Sequence, residues 1–120
     1  MKICVPTDSD QGLAALRGAH FGRAAFYTVV ELVDNKIVNV TSVQNMGHAQ
    51  GGCSTAVANI KQLGASALIV IGIGQSPLIK FRQEGIEVYV DRQSHTVEQC
   101  VGAYIDGKLP LVSLENSCTH

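Results

Sequence analysis

Residues 66–81 read SALIVIGIGQSPLIKF, and the reading of this stretch decides the fold. Its first half is a continuous apolar run, the pattern of a strand buried on both faces in a parallel sheet. Gly72 and Gly74 interrupt the run. Ser76 and Pro77 follow, a natural N-cap and a proline suited to the first helical position, so a helix is expected from there to a stop at Gly85. Strand, glycine loop and helix in succession are the ingredients of an α/β unit.

The same grammar continues on both sides. Upstream, CSTAVANIKQLG places Ala56, Val57, Ile60 and Leu63 at helical spacing and closes on Gly64. Downstream, IEVYV reads as another strand. SHTVEQCVGAYIDG then reads as a helix capped by Ser94, with Val97, Cys100, Val101, Tyr104 and Ile105 on one face. The first half of the chain differs. KICVP is a short strand ending at Pro6, and TDSDQGLAALRGAHFGR is a loop with one irregular turn. AFYTVVELV and KIVNVTSVQ flank Asp34-Asn35, the signature of a β-hairpin. KLPLVSLENSCTH is a terminal segment with a short edge strand or an extended tail. The expected architecture is therefore α/β, a single domain over residues 1–120. Its mixed, roughly five-stranded sheet has antiparallel strands first, parallel α/β units second, and helices on its faces.

Composition narrows the function. At 120 residues and 46% hydrophobic content the chain can bury a core without disulfides. Its net charge of −1, with 16% charged residues and no tryptophan, gives no footprint for nucleic acid or an anionic membrane surface. The opening MKICVPTDSD matches neither a signal nor a transit peptide, and no apolar run reaches membrane-spanning length, so a cytoplasmic protein is expected. The four cysteines, Cys4, Cys53, Cys100 and Cys118, form no C-x-x-C pair. Cys4 and Cys100 fall on a predicted strand and helix, as small buried hydrophobes do.

Three glycine-containing loops should collect along one edge of such a sheet: His20–Arg23 (HFGR), Gly47–Cys53 (GHAQGGC) and Gly72–Ser76 (GIGQS). Ligands of α/β sheets favour the carboxyl ends of parallel strands and the helix N-termini beside them. Unpaired N–H groups and the helix dipole make those termini attractive to anions, and Gly51, Gly52, Gly72 and Gly74 would let a ligand approach the backbone. His20, Arg23 and His48 would add donors or positive charge. The pattern is not a Walker loop, because no G-K-[ST] follows, and not G-x-G-x-x-G, because position 77 is Pro77. Cys53 at a helix start is placed to favour its thiolate, and with His48 or His20 it would make a nucleophile–base pair. No third, orienting residue is identifiable. Asp8, Asp10, Asp34, Asp91 and Asp106 are scattered, which gives metal-assisted hydrolysis little support.

Plainer explanations stand beside each of these. A loop histidine is commonly only solvated, His95 above all. Glycines form turns, Arg23 serves as a surface charge or an edge guard, Cys53 packs, and Cys118 and His120 belong to a frayed tail.

MKICVPTD, HFGRAAFYTVVEL, NMGHAQGGCSTAV, ALIVIGIGQSPLIKF and GIEVYVDRQSHTVEQCVGAYIDGKL, in this order and spacing, resemble the dinitrogenase iron–molybdenum cofactor-binding domain family over nearly the whole chain. The resemblance implies a ribonuclease H-like fold and a protein that binds, stores or delivers a metal–sulfur cluster and is not an enzyme. It is greatest to the family's small orange-protein branch, which carries a molybdenum–copper–sulfide cluster; the iron–molybdenum cofactor or a precursor is the alternative cargo. The cofactor-binding positions it implies are His20, Phe21, Gly22, Arg23, His48, Gly52, Cys53, Gly72 and Gly74. Cys53 and His48 are the candidates for direct metal contact, since soft Cu(I) accepts thiolate. Ser54 and Met46 replace residues common in relatives, and the cysteine- or histidine-rich tail is reduced to CTH. A partner protein for delivery and a monomer or weak homodimer complete the expectation. The competing functions are a small cysteine-dependent or nuclease-like enzyme and a protein-interaction adaptor.

Overall fold

The structure, a computed structural model, describes residues 1–18, 24–44 and 52–111, with the backbone alone for 52–56. β1 (Lys2–Thr7) leads through a 3₁₀ turn at Gly12–Ala14 to β2 (Phe26–Val33) and β3 (Lys36–Gln44). Then follow α1 (Gly52–Gln62), β4 (Ala67–Val70), α2 (Gln75–Gln83), β5 (Glu87–Val90) and α3 (Val97–Ile105). The five strands form one sheet in the order β3-β2-β1-β4-β5. β1 pairs antiparallel with β2 and parallel with β4, β2 and β3 are antiparallel, and β4 and β5 are parallel.

The mixed sheet therefore follows the pattern expected from sequence. Asp34 and Asn35 both take positive φ, 53° and 63°, and Val33 pairs with Lys36 across them. A two-residue turn with both residues left-handed matches the twist of the strands it joins, and Asp and Asn tolerate that conformation. ALIV of β4 is buried at every position, as a central parallel strand requires.

Alternation along the strands separates two cores. Cys4, Leu68, Val70 and Val88 face Val57 and Ile60 of α1 and Leu78 and Phe81 of α2. Ile3, Val5, Val30 and Ile69 face Val97, Cys100 and Val101 of α3, with Ala15 beside them. Each helix buries one stripe, and a sheet covered on both sides needs both.

Two helix starts differ from expectation. α2 begins one residue before Ser76, and its N-cap is Gly74, in extended conformation with no side-chain cap. Pro77 is the third helical residue, and the first helical bond runs from the Leu78 N–H to the Gly74 carbonyl at 3.2 Å. The first-turn N–H groups lack intrahelical acceptors, so proline costs nothing at that position either. α3 is capped by Thr96, whose side chain and Gln99 form a reciprocal capping box. The Ser94 N–H instead donates to Asp91 Oδ1 at 3.0 Å. Of the terminal segment, Leu111 bridges Tyr89 antiparallel at the β5 edge; residues 112–120, with Cys118 and His120, lie outside the described residues. No helix among the described residues is long and apolar enough to cross a membrane.

Candidate functional site

The register places the ends of all five strands that matter on one edge. Thr7 pairs with Phe26 and Phe26 with Gln44, while Val70 pairs with Val90 in strands parallel to β1. The carboxyl ends of β1, β3, β4 and β5 and the start of β2 therefore share an edge, and the flanks of the three glycine loops meet there. α1 and α2 both start at this edge, because each returns the chain to the opposite end for a parallel strand. Two helix N-termini with their dipoles converge on one side of the sheet.

His20, Phe21, Gly22, Arg23 and His48 lie outside the described residues, as does Gly51. Gly52 is the first residue of α1 and Cys53 the second, so both backbones stand in the first turn. Gly72 is half-buried between β4 and α2. Gly74 has φ −79°, open to any residue, and a Cβ there would meet only Pro77 Cδ at 3.8 Å. Neither packing nor backbone demands glycine at 74, so its smallness is available for a ligand.

Gly18, which sequence reasoning passed over, is the opposite case. A Cβ on it would stand 3.2 Å from the Ala24 Cβ and 3.3 Å from Asp8 Oδ1. Gly18 and Ala24 therefore bring the flanks of residues 19–23 into contact, and the Gly18 N–H donates to the Pro6 carbonyl at 2.9 Å. The signal for it was weak, since RGAH has no turn-type pattern.

Sequence reasoning also missed Arg17 and Asp91. Both are buried, at 8% and 5% exposure, at this same edge. Arg17 Nη1 donates to the Asp91 carbonyl and lies 3.9 Å from Asp91 Oδ1. Oδ1 accepts from the N–H groups of Gln93 and Ser94 at 2.9 and 3.0 Å. The Arg17 N–H donates to the His95 carbonyl at 3.1 Å. Burial alone would raise the Asp91 carboxyl; the Ser94 hydroxyl, the N–H groups of Ser94 and Gln93 and the Arg17 guanidinium outweigh it and hold the group below the ordinary carboxylate range. Arg17 Nε and Asp91 Oδ2 are buried without a partner among the described residues. The cue available in sequence was the place of Asp91, directly after a parallel strand; its partner lies 74 residues away.

The cysteines divide as expected where they are described. Cys4 and Cys100 are fully buried. Burial raises the Cys4 thiol far above its ordinary value. Cys100 is pushed up to about 12 by burial, with Arg17 opposing and the Asp91 carboxylate reinforcing the shift. Neither is a nucleophile at neutral pH. Among the described residues no group of three or more His, Cys, Asp or Glu side chains could hold a metal ion.

This geometry has close relatives. The family model "Dinitrogenase iron-molybdenum cofactor" matches residues 1–107. MJ0580 of Methanocaldococcus jannaschii is 30% identical over 111 residues, covering 91% of this chain and 89% of that protein. The apo form of the orange protein from Desulfovibrio gigas superposes with a TM-score of 0.83 at 26% identity, over 93% of this chain and 92% of the other. MJ0327 of Methanocaldococcus jannaschii shares the fold, with a TM-score of 0.74 at 20% identity over 94% and 95% of the two chains.

Proposed function

The chain belongs to the dinitrogenase iron–molybdenum cofactor family, and from that premise we propose that it binds, stores or delivers an anionic molybdenum-containing metal–sulfur cluster in the cytoplasm. The cluster is cargo, and the protein is a carrier without catalytic residues. A molybdenum–copper–sulfide cluster is the favoured cargo, and the iron–molybdenum cofactor or a precursor is the alternative.

The observation that carries this reading is the edge itself. α1 and α2 begin side by side there with Gly52 and Gly74 at their first and capping positions. Backbone donors and helix dipoles offer an anion favourable contacts without a covalent ligand. Among the described residues the one buried carboxylate at that edge, Asp91, is already engaged by Arg17 and two backbone N–H groups, which reduces its repulsion of an anion. In this reading His20, Arg23 and His48 supply hydrogen bonds and charge, and Phe21 and Gly22 form the apolar and open parts of the wall. Gly52, Gly72 and Gly74 open the backbone, and Cys53 and His48 are the candidates for direct contact with Cu(I) in a cluster held chiefly by hydrogen bonds.

The test is anaerobic reconstitution of the apo-protein with tetrathiomolybdate, with and without Cu(I), followed by desalting and metal analysis. A coloured species that elutes with protein only when both metals are present supports the molybdenum–copper cargo. A colourless, metal-free protein fraction under every condition removes it. Cys53→Ser separates carrier from thiol enzyme: a carrier that holds its cluster through hydrogen bonds retains most of its colour, whereas a cysteine-dependent enzyme loses its activity.

A further inference from the structure

β3 is the longest strand and lies at the end of the sheet, so one of its sides has no strand neighbour among the described residues. The backbone groups on that side can be identified. Leu32 donates its N–H to the Met1 carbonyl at 2.8 Å and accepts from the Met1 amine at 2.9 Å, so it points towards β1. In an antiparallel ladder the direction alternates, so Val30, Thr28 and Phe26 also serve β1 while Val29 and Tyr27 serve β3. Their partners are Thr41 and Val43. The N–H and C=O groups of Val40, Ser42 and Gln44 therefore face outwards.

Natural edge strands are ordinarily blunted by charge, proline, shortness or a bulge. β3 has nine residues, no proline and one charged side chain, Lys36 at its first position. Its bulge falls early: the register passes from Glu31–Asn39 to Leu32–Ile37, skipping Val38, and leaves Asn39–Gln44 regular. No residue of the strand is fully buried, and Val38 is 56% exposed. Among the described residues, the half with the open ladder is thus the half without charge, proline or bulge.

We infer that the β3 edge pairs antiparallel with the β3 edge of a second copy of this chain, joining two five-stranded sheets into one. Three observations select a second copy. The outward donors and acceptors of Val40 and Ser42 repeat with the spacing that an inverted copy of the same strand presents, so the edge is complementary to itself. The regular stretch carries no charge that would select a charged foreign strand or repel its own copy, and the whole chain bears only −1. Outward residues must face outward residues, which allows two registers of equal overlap on the regular stretch, Ser42 opposite Ser42 or Thr41 opposite Thr41 with Val40 opposite Ser42, and the inferred dimer takes the second. That register leaves Lys36 beyond the paired region, and it stacks an exposed threonine on its equivalent, a favourable cross-strand pair. The contact is a narrow one, well below the roughly 1,600 Å² of a stable complex, so the dimer is weak and depends on concentration. The inference is independent of the cluster reading.

Sedimentation equilibrium of the full chain tests it. The weight-average mass should lie near the 12.7 kDa of one chain when dilute and climb towards twice that as protein approaches about 1 mM. Ser42→Pro removes an outward N–H that β2 does not use, so the chain should stay folded and remain monomeric over the whole range. Independently, Thr41→Cys in a Cys53→Ser, Cys118→Ser background should form a disulfide dimer under mild oxidant at least about tenfold faster than Asn35→Cys in the hairpin turn, because opposed non-hydrogen-bonded positions meet disulfide geometry. A mass that stays at one chain at about 1 mM refutes the inference and leaves the edge to an extended segment of another protein. So does a dimer that persists in Ser42→Pro, or equal cross-linking at positions 41 and 35.

Discussion

Asp91→Ala is the most informative single substitution in the described part of the molecule. It leaves the Arg17 guanidinium, whose side chain is 2% exposed, without a counter-charge and deprives the Gln93 and Ser94 N–H groups of their acceptor. At the observed 3.9 Å, and with an effective dielectric near 20, the lost attraction is about 4 kcal/mol before desolvation is counted. Breaking a buried pair by removing one partner costs about 3–5 kcal/mol, which is a large part of the stability of a domain this size. Asp91→Asn retains an acceptor oxygen for the two N–H groups and loses only the charge, so its cost should be smaller, about 1–3 kcal/mol. The assay is urea unfolding at pH 7, completed as a double-mutant cycle with Arg17→Met. The double variant no longer buries an isolated charge and should be less destabilised than the sum of the singles by about 2 kcal/mol. The sign of the pH dependence follows from the lowered carboxyl. Its contribution is complete above the ordinary value of 3.8 and disappears as pH falls through the lower folded-state value. Wild type and Asp91→Asn should therefore converge in stability in acid, below 3.8, and separate above it. An Asp91→Ala cost under about 1 kcal/mol, or a cycle additive to within about 0.5 kcal/mol, would refute the reasoning.

The remaining expectations concern other parts of the same edge and its supports. Gly18→Ala places a Cβ 3.2 Å from the Ala24 Cβ, a contact that only backbone movement can relieve, and should cost about 1–3 kcal/mol in the same unfolding assay. Gly74→Ala meets ordinary contact at 3.8 Å and an unstrained φ, so stability should change by less than about 1 kcal/mol while cluster retention on desalting falls; unchanged retention would count against backbone approach at that helix. Thr96→Ala dismantles the capping box and should lower stability by about 1 kcal/mol, measured by urea midpoint. In a Cys53→Ser, Cys118→Ser background the folded protein should show no maleimide-reactive thiol over hours near neutral pH, and two after unfolding, because Cys4 and Cys100 are fully buried and raised.

What was legible in the sequence and what was not separate along a physical line. The sheet was legible because it rests on local signals that few alternatives share. ALIV can be buried on both faces only in a central strand, and Asp34-Asn35 occupies the one turn that needs two left-handed residues in succession. Helix starts were read one or two residues away from their place because Ser94, Thr96, Gly74 and Ser76 are all competent caps. The choice among them is made by tertiary partners. Asp91 takes the Ser94 N–H, which leaves Thr96 to close the box with Gln99. No local rule sees that contest.

The candidate site shows the same division more sharply. The gathering of helix starts at the carboxyl edge follows from topology, since any parallel unit returning through a helix delivers the helix start to that edge. The residues that shape the edge did not follow. Arg17 and Asp91 are 74 positions apart, and each alone reads as an ordinary surface charge. Only the sheet order brings the segment after β1 beside the end of β5, through the Arg17–His95 and Val97–Ala15 backbone bonds. The glycines make the converse point. Gly18 is unremarkable in sequence and is demanded by a 3.2 Å approach, whereas the fold makes no demand for glycine at 74, a position expected to open the backbone to a ligand. A glycine that packing requires is explained by the fold. One that packing leaves free, at a helix start on this edge, is where the proposed anion would approach the backbone.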